Sequence, residues 1–164
     1  MNEKTQDTLM QGLAAGFFGF ATTAIVFAVA NVFAGRSAFY TPAVLGATMF
    51  YGVTDPAQME PAIAPYFFAY NGTHLLAFLA FGLIGSWLVS IAELGKMLWY
   101  PALFFFIFVA FHFIGAIQLA AQPVRATVPD GAVWVSGVLA AVVMVAYLLR
   151  VHPGVRQQLR GWQE

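Results

Sequence analysis

His74 to Ala120 reads HLLAFLAFGLIGSWLVSIAELGKMLWYPALFFFIFVAFHFIGAIQLA, and Glu93 and Lys96 are the only charged residues in it. Each half carries roughly the 20 apolar residues needed to cross a ~30 Å hydrocarbon layer. Between them stands only ELGK, with Gly95 as the breaker, which predicts a tight antiparallel hairpin of two transmembrane helices. The first helix of the hairpin starts near Pro65, a residue suited to a first helical turn, and ends near Glu93. The second covers about Met97 to Ala121, with Trp99 and Tyr100 as an interfacial belt at one edge.

Working outward, an uncharged run from Leu9 to Ala34 predicts a span before the hairpin, and Gly131 to Val151 predicts one after it. Ala28-Val29-Ala30 has the small-x-small look of a signal-peptide cleavage site, but the run is longer than a signal core and its leader MNEKTQD is as acidic as basic. It therefore reads as a span. The expected fold is all-α: a single domain over residues 1–164, with four spans at about 9–34, 65–93, 97–121 and 131–151 in an up-down bundle. Composition agrees, with 61% hydrophobic residues, 9% charged and a mean hydropathy of +0.78 over 164 residues. That leaves too little polar surface for a soluble globule. Seven basic and seven acidic residues cancel, so nucleic acid is not an expected partner. The absence of cysteine excludes thiolate catalysis, disulfides, Fe–S clusters and covalently attached haem.

Residues 35–64 are too apolar for a solvated loop and too broken for a span. Thr41-Pro42 and Asp55-Pro56 each read as an N-cap followed by proline in the first turn, predicting two short surface helices, TPAVLGATMFYG and DPAQMEPAIA. Such a segment either caps the bundle or lies on lipid with no site beneath it. With four spans, Lys4, Lys96, Arg150, Arg156 and Arg160 share one side and Arg36 and Arg125 the other, which predicts both termini cytoplasmic in a plasma or inner membrane. The tail VHPGVRQQLRGWQE then reads as an interfacial anchor for anionic lipid.

Gly12, Gly16, Gly19 and Thr23 recur at spacings of four, three and four, and Gly82 and Gly85 form a second small-residue pair. Such stripes let helix backbones approach closely, within the chain or against a partner subunit. Intramembrane polar groups are the better functional pointers, because their desolvation must be compensated. The spans hold no interior Lys, Arg, Asp or Glu; what remains is His74, His112, Asn31, Asn71 and Gln118. Counted from the outer ends of their spans, both histidines lie about 13 Å deep at 1.5 Å per residue. His74 travels with Phe78, Phe81, Gly82 and Gly85, and His112 with Phe105, Phe108, Gly115 and Leu119.

Two neutral imidazoles among rings and glycines suit axial ligation of a b-type haem, a bridged metal ion, or a quinone or lipid headgroup. The competing structural reading has each histidine satisfied by Asn71, Gln118 or a backbone carbonyl. Hairpin neighbours packed 8–10 Å apart would have to splay to admit a porphyrin. Asn71-Gly72-Thr73 matches a glycosylation acceptor but falls inside a predicted span. His152 reads as a cation at a helix C-terminus. No nucleophile–base–acid set appears, so no enzyme activity is assigned. Three functional classes follow: an accessory or structural subunit of a membrane assembly or homo-oligomer, with a candidate cofactor site at His74 and His112; a haem- or metal-binding redox protein using the same pair; or an oligomeric small-molecule channel or carrier.

Overall fold

The computed structural model describes residues 3–93, 122–128 and 130–160, and every regular element among them is helical. Helix α1 runs Glu3–Phe33, α2 Tyr40–Tyr51, α3 Ala64–Ala92, α4 Asp130–Val151 and α5 Pro153–Arg160. Short 3₁₀ turns cover Pro56–Gln58 and Gln122–Thr127. Three helices are long and apolar enough to cross a membrane: α1, α3 and α4. The predicted span at 97–121, with His112, Gly115 and Gln118, lies outside the described residues.

Helix α1 starts two turns before its apolar run, because the leader's polar residues are compatible with a solvated helix end. It stops where Gly35 takes φ 70°. The Gly35 and Arg36 N–H groups then donate to the Val32 and Asn31 carbonyls at 3.0 and 2.9 Å, satisfying acceptors at the helix end. Gly52 ends α2 in the same conformation, with the Val53 N–H donating to Ala47 O at 3.1 Å.

The segment between α1 and α3 departs from the sequence reading in two places. Thr41 does not cap α2; Phe39 stands at that position, and the buried Thr41 hydroxyl donates to Asn31 Oδ1 at 2.7 Å. A buried acceptor on α1 takes the hydroxyl that was expected at a backbone N–H. The second surface helix shrinks to the turn Pro56–Gln58, although Asp55 does cap it, accepting from the Ala57 N–H at 2.9 Å. Pro61 stops it, since its ring forbids continuation and disfavours helical backbone at Glu60. Helix α2 is also docked rather than lying free, with Thr41 and residues 43–47 buried.

Helix α1 is central, packing along α3 on one side and α4 on the other, while α3 and α4 scarcely meet. Its glycine face is the seam with α3. A Cβ on Gly12 would stand 2.8 Å from Leu83 Cα, and one on Gly16 would stand 2.7 Å from Leu79 Cα. Gly82 answers from the other side, where a Cβ would meet Gly16 Cα at 2.8 Å. Gly85 is buried in the same helix. Ser86 Oγ donates to Thr8 O at 2.8 Å, and the Thr8 and Ser90 hydroxyls share a 3.3 Å hydrogen bond. Gly19 lies over Phe78 and Met144, and Gly46 brings α2 onto the Tyr66 carbonyl of α3. The core joins Phe27, Leu45, Phe78, Phe81, Val124 and Met144.

The ends of the bundle are fixed by polar contacts. At one, His152 Nδ1 stands 3.2 Å from Glu93 Oε2, so the C-terminal ends of α3 and α4 are together. At the other, Arg36 donates to Thr127 O at 2.7 Å and its guanidinium covers the Tyr40 ring at 4.7 Å. Helices α3 and α4 therefore run the same way, and α1 runs against both. The outward faces carry large apolar side chains such as Phe33, Ile25, Leu76 and Val142, the surface that a lipid solvent calls for.

Candidate functional site

His74 projects from α3 into a ladder of rings set by helical spacing. Tyr70, four residues before it, stacks on the imidazole at 5.0 Å between centroids and 25° between planes. Phe78, four residues after, lies 5.0 Å away, and Phe20 of α1 closes at 6.0 Å. Residues four apart share a helix face, so one stripe of α3 presents three aromatic rings in register.

Tyr70 and His74 of this stripe stand in one wall of a cavity of about 470 Å³ between α1, α2 and α3, with Phe78 buried behind them, a volume within the 300–1,000 Å³ usual for small-molecule sites. Phe20, Thr23 and Phe27 line it from α1, and Thr41 and Leu45 from α2. Phe67, Tyr70, Asn71 and His74 line it from α3. Phe39 and Phe68, both exposed, also line it, so the cavity opens on the side of the bundle. Among the described residues no charged side chain lines it.

The polar groups of the wall differ in how they are satisfied. Thr41 is bound to Asn31, and Asn31 Nδ2 donates in turn to Ala38 O at 3.2 Å, so this pair ties α2 to the end of α1. Asn71 Nδ2 donates to Phe67 O at 2.9 Å. Thr23 is only 2% exposed, and its hydroxyl has no hydrogen-bond partner among the described residues. Its neighbour Thr22 donates back to Phe18 O at 2.8 Å, and Thr73 to Ala69 O at 3.0 Å. Thr23 departs from that habit, leaving a buried donor at the cavity.

The sequence reading paired His74 with His112; His74 is placed at this cavity, and His112 lies outside the described residues. Among the described residues the lining offers no Lys or Arg to meet a haem propionate. Among the described residues, no three His, Asp or Glu side chains converge as a metal site would require. His152 is buried and paired with Glu93 rather than serving only its own helix end.

Two contributors escaped the sequence reading. Thr23 looked like the continuation of a packing stripe, because Thr and Gly are interchangeable in small-residue patterns. Gly46 sat in a segment expected at the membrane surface, and only its position inside an apolar run hinted at close packing. No family model, no curated protein and no solved structure matches the chain, and the functional reading therefore rests on these residues.

Proposed function

We propose that the protein is an integral membrane protein of accessory type that holds a neutral, lipophilic small molecule in the cavity beside His74. The observation carrying this reading is the cavity: ring-walled, without a charged side chain among its described lining residues, and open on the side of the bundle. The described lining residues supply no nucleophile–base–acid set, and they support binding.

A fourth crossing by residues 97–121 belongs to the same proposal. Because α3 and α4 run in the same direction, the chain leaving α3 after Glu93 must return to the opposite end before Gln122. The 28 residues from 94 to 121 are enough, since a helix of that length extends ~42 Å. Both termini then share a side, and the distribution of basic residues supports the cytoplasmic one.

The test is absorption spectroscopy and native mass spectrometry of full-length protein purified in mild detergent. The expected result is a colourless protein retaining a small apolar molecule; Ala24 of α1 also lines the cavity, and Ala24→Phe releases the molecule by filling its space. A Soret band would replace this reading with haem ligation, and retention unchanged in Ala24→Phe would move the function elsewhere.

A further inference from the structure

We propose that the cavity between α1, α2 and α3 is a binding site for an isoprenoid quinone, with a ring carbonyl accepting a hydrogen bond from the Thr23 hydroxyl. This rests on the small-molecule reading above and names the ligand class. Four features of the wall select it. The Tyr70 and His74 rings of the wall and Phe20 across from them offer flat faces, which favour a planar ring over a branched or globular group. The absence of charged side chains among the described lining residues disfavours phosphate headgroups and fatty-acid carboxylates, whose burial without a counter-charge is costly.

Thr23 is the third feature. The residue lines the cavity, and its buried hydroxyl is partnerless among the described residues. A saturated acyl chain would leave it unsatisfied, whereas a carbonyl answers it. The fourth is the way out. The cavity reaches exposed Phe39 and Phe68, so a prenyl tail leaves the ring site sideways into lipid without crossing the bundle. The proposal concerns binding only; no electron transfer is required of the site.

The experiment titrates decylubiquinone, and separately hexadecane, into full-length protein in detergent, comparing wild type with Thr23→Val, Thr23→Ser and Ala24→Phe. Valine keeps the shape of threonine and removes the donor, so folding is preserved, while serine restores it. Decylubiquinone affinity is expected to fall about tenfold in Thr23→Val, the loss of one hydrogen bond, and to stay within about threefold of wild type in Thr23→Ser. Hexadecane binding should not distinguish the two. Equal decylubiquinone affinity in wild type and Thr23→Val would overturn the quinone assignment. So would binding of hexadecane alone, abolished by Ala24→Phe, although the small-molecule reading would then survive. If Ala24→Phe alters neither probe, both readings fall together.

Discussion

A methyl group added at residue 16 has nowhere to go. Its neighbours are backbone atoms of α3, around Phe78 and Leu79, and they can move only if the helices part. At Gly19 the obstacles are instead the Met144 thioether and the Phe78 ring, and a methionine chain can rotate aside. Gly16→Ala is therefore expected to lower stability by about 1–3 kcal/mol, the range for overpacking, and Gly19→Ala by less. Thermal unfolding of the two variants in one detergent checks this; equal losses would mean that backbone contact at residue 16 is not the governing restraint. The glycine seam was legible in the sequence because spacings of three and four can serve only one helix face. Thr23 was not, since a residue small enough to pack against a helix is also small enough to line a hollow. His74 was recognisable as a polar group needing an environment, but the rings that supply it come from three turns of α3 and a second helix.

Among the elements, α2 shows where pattern reading stops. Its residues 41 and 43–47 are buried, mainly against α3, while Met49, Phe50 and Tyr51 are exposed, and with apolar residues on both faces it lacks the one-sided periodicity that marks a surface helix. Its docking depends on Gly46 and on the Asn31–Thr41 bond, neither of which has a sequence signature. At the far end, α5 is joined to the bundle through His152, held against Glu93, with Ala92 and Val155 buried beside it. Glu93 also sits where α3 ends and its dipole favours a cation, so a histidine beside it eases an unfavourable placement. A double-mutant cycle with Glu93→Ala and His152→Ala should give a coupling of about 0.5–1.5 kcal/mol, at the modest end because Glu93 is partly exposed. Strictly additive losses would show that the two groups are neighbours without being partners.

For the whole molecule, the long apolar runs made the helical class and the three described spans plain from sequence alone, because lipid imposes a length requirement that few other environments do. The directions of the spans were less accessible, since charge counts rank sides but do not position helices. The proposed topology, with both termini cytoplasmic, predicts that a cysteine introduced as Gln163→Cys is labelled by a membrane-impermeant maleimide only from the cytoplasmic face of intact cells or oriented vesicles. Labelling from the outside would invert the topology. The central place of α1 also bears on how the protein is made. The helix against which both α3 and α4 pack precedes them in the chain and leaves the ribosome before them, so each of the two meets its main partner already in the bilayer. Biogenesis can thus proceed by successive docking onto a finished post, with no need to hold early spans apart until the chain is complete.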